Sequence, residues 1–291
     1  MRPKVTILVN SKAGSEAMSP PAIASAFCAA GMEPTVHQVE GVSLHATARG
    51  ALKDGSRIIV AAGGDGTVST VASALVGTDV ALGILPLGRM NHFAKDLRIP
   101  HELEPAANTI AAAHTVLVDV GEVNDRVFLN NSGVGAYPHL VVERRRQRRT
   151  RWLSEAMAAV KVLREYRQLL VEVTADGIDR VVRTPFVFVG NNEYQLEGDD
   201  FGTRPRLDRG TLHLCMAPDI GRVRFAGIVA SALIGRLATG RQFESICLPA
   251  IVIQAGSARM LVSLDGEVAV LSTPLTYRIR PGALRVVAPA P

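Results

Sequence analysis

The fold of this chain is decided by one stretch, Arg57-Ile58-Ile59-Val60-Ala61-Ala62-Gly63-Gly64-Asp65-Gly66-Thr67-Val68. Its apolar start, residues 57–62, predicts a buried strand, and residues 68–75 predict a helix. Between the two, three glycines in four positions let the backbone turn sharply and approach a ligand closely. Because amide N–H groups at a helix N-terminus attract phosphate, this turn is either a phosphate cradle or a plain tight turn.

The charge inside this turn bears on that choice. The turn lacks the Gly-Lys-Ser/Thr ending of a Walker loop, and its spacing is not Gly-x-Gly-x-x-Gly. A lone carboxylate beside a phosphate is repelled unless it binds a metal ion or takes a proton. Asp65 therefore favours a site that also handles a metal ion or a proton.

The sequence on both sides of the turn repeats the same strand and helix alternation. Residues 4–9 and 80–85 predict strands, and the Ala-rich residues 21–30 predict a helix with Gly31 at its C-terminal cap. Strand, turn, helix and strand at this spacing predict a parallel sheet with right-handed crossovers.

After about residue 115 the pattern changes to short strands separated by Gly, Pro and Asp turns. Such strands predict an antiparallel sandwich. We therefore expect an α/β domain over 1–115, a mostly β domain over 116–281, and a return of residues 282–291 to the first domain. The predicted strands of the second domain are 116–123, 126–131, 169–174, 180–189, 211–216, 251–254 and 259–264.

Composition limits the class of protein. No apolar run reaches the roughly 18 residues of a membrane span, and the N-terminus does not resemble a secretory signal. The three cysteines are odd in number and widely spaced, which predicts neither a disulfide framework nor a zinc site and is typical of the cytoplasm.

The positive charge of the chain is concentrated in one block. Six arginines fall within residues 144–151, and without them the formal charge of +5 becomes −1. A near-neutral remainder argues against a nucleic-acid-binding domain. The block is either a solvated helix face or a contact to an anionic membrane, where each cation contributes about 1 kcal/mol. Its members are Arg144, Arg145, Arg146, Arg148, Arg149 and Arg151.

Two further segments carry polar residues at predicted strand ends. Residues 85–94 read Leu-Pro-Leu-Gly-Arg-Met-Asn-His-Phe-Ala and should lie at the same carboxyl edge of the sheet as Asp65. Asp265 and Glu267 flank Gly266 near the end of the chain. Taken alone, that triplet is an ordinary Asp-Gly turn.

In order and spacing, these segments resemble the catalytic region of diacylglycerol kinases and of the related bacterial lipid kinases and sphingosine kinases. The resemblance covers residues 4–289. It is carried by Asn10-Ser11-Lys12-Ala13-Gly14, by Gly63-Gly64-Asp65-Gly66-Thr67, by residues 86–94 and by Asp265-Gly266-Glu267.

The resemblance implies two domains, a nucleotide-binding α/β domain like that of NAD kinases and an antiparallel β-sandwich, with the active site in the cleft between them. It implies a peripheral membrane enzyme at the inner face of the membrane. Its reaction would be Mg-dependent transfer of the ATP γ-phosphoryl group to a lipid hydroxyl. An exposed strand edge would allow pairing into a homodimer.

The resemblance also implies roles for individual residues. Asp265 is the expected base, with Asp65 as the competing one, and Asp65 and Glu267 are candidate metal ligands. The residues expected at the nucleotide are Asn10, Ser11, Lys12, Gly14, Gly63, Gly64, Asp65, Gly66, Thr67, Gly88, Arg89, Asn91 and Glu267.

Four positions depart from the family pattern. Arg89 replaces a threonine expected at the nucleotide, and an arginine there either grips phosphate or blocks the site. His92 replaces an aspartate and Thr70 a glutamate, while Arg209 occupies an acidic position linked to a structural metal in some relatives. Two alternatives therefore stay open: phosphorylation of a soluble substrate, as in NAD kinases, and a nucleotide- or lipid-binding protein without turnover.

Overall fold

The computed structural model of the protein describes residues 3–12, 19–136, 138, 169–175, 178–196, 202–217, 221 and 243–290. The chain divides into two compact units. One comprises Met1–Val120 together with Arg280–Pro291, and the other comprises Gly121–Ile279. The division into domains after residues 115 and 281, and the cleft between them, stay predictions from the sequence.

The described regular elements are five α-helices, one 3-10 helix (Gly41–Ser43) and sixteen strands. The helices are α1 (Pro20–Ala29), α2 (Leu44–Lys53), α3 (Asp65–Leu75), α4 (His92–Asp96) and α5 (Leu103–Ala112). The strands are β1 (Lys4–Asn10), β2 (Glu33–Val39), β3 (Ile58–Gly63), β4 (Ala81–Pro86), β5 (Thr115–Val123), β6 (Arg126–Phe128), β7 (Asn131–Gly135), β8 (Leu169–Ala175), β9 (Ile178–Thr184), β10 (Phe186–Asn191), β11 (Leu212–Met216), β12 (Glu244–Leu248), β13 (Ala250–Ala255), β14 (Arg259–Leu264), β15 (Glu267–Ser272) and β16 (Leu275–Val287). No helix within these ranges is long and apolar enough to cross a membrane.

The first unit is built on a parallel sheet. Its strands run in the order β2-β1-β3-β4-β16, and each neighbouring pair is parallel. Every residue of β3 and β4 is buried, as expected for the centre of a parallel sheet covered by helices on both faces. The core includes Ile7, Phe27, Val60, Ile110 and Val287. The predicted α/β architecture is confirmed.

Short-range signals in the sequence fix several ends of these elements. Gly31 lies just after α1 with φ +84°, and its N–H donates to the Cys28 carbonyl at 3.1 Å. This is the conformation that favours glycine after a helix. Asn124 and Asp125 both have positive φ and join β5 to β6 through a two-residue turn, as the sequence predicts.

The second unit consists of two antiparallel sheets. One has the order β12-β11-β10-β7-β14-β15, and the other is formed by β13, β8, β9 and the first part of β16. Apolar side chains of both sheets share one core, which includes Val134, Val189, Leu214, Ile251 and Tyr277. The predicted antiparallel sandwich is confirmed.

Two of the predicted strands are wrong as single elements. Residues 126–131 divide into β6 and β7, and residues 180–189 divide into β9 and β10; in both cases the two parts lie in different sheets. Pro185 lies at the second break, where a residue without an N–H cannot continue a ladder. At the first break, the N–H groups of residues 129–131 donate to a side chain, Asp265, as described below.

Candidate functional site

The glycine-rich turn forms a tight corner between β3 and α3. Gly64 precedes the first residue of α3, and its carbonyl already accepts the N–H groups of Thr67 at 2.8 Å and Val68 at 3.1 Å. A Cβ on Gly63 would lie 2.4 Å from Thr67 Oγ1, so only glycine fits there. No side chain among the described residues caps this helix. Because the first N–H groups of a helix lack intrahelical partners, the corner offers donors to an anion.

The loop after β4 packs directly onto this corner. A Cβ on Gly88 would lie 2.4 Å from the Cα of Gly64, and the N–H of Leu87 donates to the Gly63 carbonyl at 3.0 Å. The structure therefore brings the carboxyl ends of β3 and β4 together, where ligands bind in parallel sheets.

The side chain of Asn91 stabilises the loop after β4 through hydrogen bonds to its backbone. Its Oδ1 accepts the Gly88 N–H at 3.1 Å, and its Nδ2 donates to the Gly88 carbonyl at 2.7 Å. Asn91 is buried and has φ +50°, a left-handed conformation that asparagine tolerates. Its amide thus shapes the loop that Gly88 and Arg89 occupy.

The end of β1 is tied to the same corner. Asn10 Nδ2 donates to Thr67 Oγ1 at 2.9 Å, while Asn10 Oδ1 accepts the Lys12 N–H at 3.0 Å. Ser11 and Lys12 are exposed beside it. Gly14, the remaining member of the predicted first loop, lies outside the described residues. Three strand ends, of β1, β3 and β4, therefore meet at one edge.

Several polar and charged side chains lie on the elements that meet at this edge. Asp65 is half-buried, and its Oδ1 accepts the Phe93 N–H at the long distance of 3.4 Å. Arg89 and His92, two of the departures noted above, are both exposed. Thr70 Oγ1 donates back to the Gly66 carbonyl at 2.7 Å within α3.

Asp265 lies in the second unit, at the tip of the β14–β15 hairpin. Asp265 and Gly266 have φ of +47° and +80° and form a two-residue turn between Leu264 and Glu267. Asp265 is 9% exposed, whereas Glu267 is exposed. The turn interpretation of the sequence is thus correct, but it does not account for the burial of the carboxylate.

The Asp265 carboxylate accepts three backbone hydrogen bonds. Oδ2 accepts the N–H of Leu129 at 2.7 Å, and Oδ1 accepts those of Asn130 at 2.7 Å and Asn131 at 3.1 Å. Hydrogen bonds donated to a carboxylate stabilise its ionised form. The Asp265 carboxylate is therefore held in a fixed orientation by the segment that leads into β7.

A second set of side chains, which includes Arg204, binds the backbone carbonyl groups of the same segment, residues 129 and 130. Arg204 is 2% exposed, and its Nη1 donates to the Leu129 carbonyl at 2.6 Å and to the Asn191 carbonyl at 3.0 Å. Its Nη2 donates to Asn130 Oδ1 at 2.7 Å, and its guanidinium lies 5.3 Å from the centre of the Tyr194 ring. Nothing in the local sequence around residue 204 marks it, because all of these partners are distant along the chain.

His213 extends this polar cluster. Its Nδ1 accepts the Tyr194 N–H at 3.0 Å, which requires the neutral ring in the tautomer that carries its proton on Nε2. Burial lowers the pKa of His213, and the nearby Glu193 opposes that effect.

The segment before Arg209 contains an ion pair. The Arg206 Nε and Nη2 atoms donate to the two Asp208 oxygens at 2.8 and 2.7 Å. This bond, with smaller Coulombic contributions, holds the pKa of Asp208 below its usual value. Across the part of the chain that the structure describes, no group of three or more His, Cys, Asp or Glu side chains is arranged to hold a metal ion.

Comparison with known proteins connects both units to one family. Residues 4–123 match the diacylglycerol kinase catalytic domain, and residues 130–288 match the YegS C-terminal NAD kinase beta sandwich-like domain. The chain belongs to the diacylglycerol kinase-like lipid kinase family. The corner at Gly63–Thr67 falls in the catalytic-domain match, and Asp265 falls in the sandwich match.

Individual members of this family are similar over much of the chain. A protein named "Probable lipid kinase YegS-like" from Pseudomonas savastanoi pv. phaseolicola is 30% identical over 245 residues, 82% of this chain and 78% of that protein. The diacylglycerol kinase of Bacillus subtilis is 33% identical over 158 residues, 52% of each chain. A crystal structure of a diacylglycerol kinase from Bacillus anthracis has a TM-score of 0.71 at 21% identity and covers 98% of this chain and 97% of that one. At that identity, the structural likeness shows the fold alone.

Proposed function

We propose that this family member is a kinase that transfers the γ-phosphoryl group of ATP to a hydroxyl of diacylglycerol or a related lipid. The observation that carries the proposal is the corner at Gly63–Thr67. There a helix N-terminus is open to an anion, and the ends of β1 and β4 are fastened to it through Asn10 and Gly88. Such an arrangement is suited to phosphate groups.

The nucleotide would be held chiefly by backbone donors. The amides of Gly64 and Gly66 would receive the phosphates, and Asn10, bonded to Thr67, would fix the first loop against them. Magnesium is commonly bound by ATP phosphates together with one or two carboxylates, so a cluster of three acidic side chains is not needed. Asp65, half-buried beside the amides, has the donor chemistry for that ion, which would neutralise the charge that develops during transfer.

Two carboxylates are candidates for receiving the proton of the acceptor hydroxyl. In the reaction, a bond forms between the acceptor oxygen and phosphorus, the bond from phosphorus to the ADP oxygen breaks, and the hydroxyl proton passes to a carboxylate. We favour Asp265, whose carboxylate the three N–H donors hold in a fixed orientation. The main demand on this carboxylate is its position, because catalysis of phosphoryl transfer rests almost entirely on positioning and electrostatic stabilisation. Asp65 remains the competing base.

The acceptor would be reached at the membrane surface. The arginine block at 144–151 lies outside the described residues, so its role is proposed from its charge alone. Six cations are enough for peripheral association with an anionic inner leaflet.

The proposal is tested by incubating the protein with γ-labelled ATP, magnesium and a mixed-lipid extract, then separating the products by chromatography. We expect label in a lipid with the native protein, and a loss of about 100-fold or more with Asp65→Asn. The matched control is Asp79→Asn, because Asp79 is an exposed carboxylate after α3 and should leave the rate unchanged.

Other outcomes would redirect the assignment. Label in a water-soluble product would favour a soluble acceptor, as in NAD kinases. ATP binding without any transfer would favour a binding protein, with exposed Arg89 and His92 as the first residues to revert to threonine and aspartate. Either result would contradict the lipid kinase assignment.

A further inference from the structure

Arg204 and Asp265 bind opposite ends of one peptide group. The carbonyl of Leu129 accepts hydrogen bonds from Arg204 Nη1 at 2.6 Å and from Asn191 Nδ2 at 2.9 Å. The N–H of the same peptide, carried by Asn130, donates to Asp265 Oδ1 at 2.7 Å. The Arg204 cation, the Leu129–Asn130 peptide dipole and the Asp265 carboxylate therefore form one hydrogen-bonded series.

The next peptide group is held in a similar way. The carbonyl of Asn130 accepts the Tyr194 hydroxyl at 3.0 Å and the Asn191 N–H at 2.8 Å. The N–H on its other side, from Asn131, donates to Asp265 Oδ1 at 3.1 Å. Both peptide groups that face Oδ1 are thus oriented from behind by the side chains of Arg204, Asn191 and Tyr194.

Burial strengthens the hydrogen bonds of this series. Arg204 is 2% exposed, Asn130 5% and Asn191 0%. In such surroundings hydrogen bonds polarise one another, so a donor on a carbonyl strengthens the bond that the attached N–H makes. The charge of Arg204 therefore acts on Asp265 through the peptide, and its bond to Asn130 Oδ1 fixes the orientation of that peptide.

We propose that Arg204 is a positioning residue for Asp265: by clamping the Leu129–Asn130 peptide, it sets the orientation of the carboxylate that meets the acceptor hydroxyl. This inference rests on the proposed function for its kinetic consequence, but the clamp itself is a property of the second unit. Because Arg204 acts on the carboxylate, its loss should lower kcat and leave the KM for ATP unchanged.

The kinetic test is a double-mutant cycle of Arg204→Met and Asp265→Asn. Outer partners that orient an active group typically contribute 10- to 100-fold, so we expect Arg204→Met to lower kcat by about tenfold or more. In the Asp265→Asn background the same change should alter kcat by less than about twofold, since residues acting as one unit are not additive. Equal losses in both backgrounds would show that Arg204 acts independently of Asp265 and would overturn the proposal.

Three further variants guard against a general loss of structure. Arg204→Lys keeps the cation but not the two-pronged grip, so it should recover part of the kcat lost in Arg204→Met. Tyr194→Phe removes the hydroxyl on the Asn130 carbonyl and should lower kcat in the same direction by a smaller factor. Arg206→Met, two residues away, removes an exposed arginine and should leave kcat unchanged. A loss in Arg206→Met equal to that in Arg204→Met would contradict the specific clamp.

A second readout does not depend on activity. Amide hydrogen exchange of Asn130 and Asn131, measured by NMR on the full chain, should accelerate by about tenfold in Arg204→Met and stay unchanged in Arg206→Met. If the native protein phosphorylates no lipid while these amides respond as expected, the clamp stands and the proposed function fails. If these amides do not respond, the clamp is wrong whatever the activity.

Discussion

Gly88 and Gly64 approach more closely than any other pair of residues could at that point. An alanine at 88 would put its Cβ 2.4 Å from the Gly64 Cα and 2.6 Å from Asn91 Oδ1. The first neighbour is backbone and cannot rotate away, so the two loops must separate. Because such overpacking typically costs about 1–3 kcal/mol, we expect Gly88→Ala to lower the melting temperature. ATP affinity, measured by calorimetry, should fall as well.

Gly50 provides the matched comparison. It lies inside α2, and a Cβ there would meet nothing within 4 Å. Alanine is favoured over glycine in a helix interior by about 0.5–1 kcal/mol, so Gly50→Ala should raise the melting temperature and leave ATP affinity unchanged. Equal melting temperatures for the two variants would refute the close-packing argument for Gly88.

His213 should make stability depend on pH. Burial lowers its pKa, so the folded state favours the neutral ring more than the unfolded state does. That contribution is present above the unfolded pKa of about 6.5 and is lost as pH falls through the lower folded value. Urea denaturation between pH 8 and pH 5 should show a falling free energy of unfolding.

The control for this dependence is His213→Asn, whose side-chain oxygen can still accept the Tyr194 N–H. The variant should lose stability less steeply with falling pH than the native protein. Parallel pH profiles for the two proteins would show that His213 does not titrate between the states.

Sequence and structure agree best at residues whose chemistry is local. The glycine corner and the Asp265 turn could both be predicted, because a few adjacent residues define each of them. Arg204 could not, since its partners at 129, 130 and 191 come together only when β7 and β10 pair. For the same reason, the sequence could suggest Asp265 as a base but not show that its oxygens accept three N–H groups.

The hydrogen bond between the Asn10 and Thr67 side chains joins two elements of the first unit. Asn10 at the end of β1 donates to Thr67 in α3. In a cycle of Asn10→Ala and Thr67→Val, we expect a coupling free energy of about 0.5–1.5 kcal/mol from urea denaturation. Thr67→Ser keeps the hydroxyl and should preserve most of the coupling. Strictly additive losses would mean that the strand and the helix are held together by other contacts.

Strands could be predicted from the sequence where burial on both faces produces a continuous apolar run. β1, β3 and β4 appear as apolar runs, and the sequence locates each to within one residue. The sequence does not predict β2. This strand lies at the sheet edge and its side chains are mostly exposed, so it has no apolar run. The undivided prediction over 180–189 failed because an apolar run does not show that Pro185 sends the chain into another sheet.

For the whole molecule, the uneven charge predicts a salt-dependent association with anionic membranes. The formal charge of the chain outside residues 144–151 is −1, so the six arginines supply the attraction. Replacing all six with glutamine should remove sedimentation with phosphatidylserine-containing vesicles at low salt. Neutral vesicles serve as the control, and native protein should bind them weakly. Unchanged binding by the six-fold variant would assign membrane contact to another surface.

β16 begins in the second unit and ends in the first, where Val286 pairs with Leu82 of β4. During synthesis, the ribosome therefore releases the first 120 residues long before the strand that completes their sheet. Until residues 280–287 emerge, β4 presents an unpaired edge made of residues that are buried in the folded protein. Such an edge is prone to pair with the wrong strand. Although domains generally fold in the order of synthesis, here the N-terminal unit must finish last. A fragment ending at Val120 should consequently aggregate, and adding a peptide of residues 280–290 during refolding should rescue it.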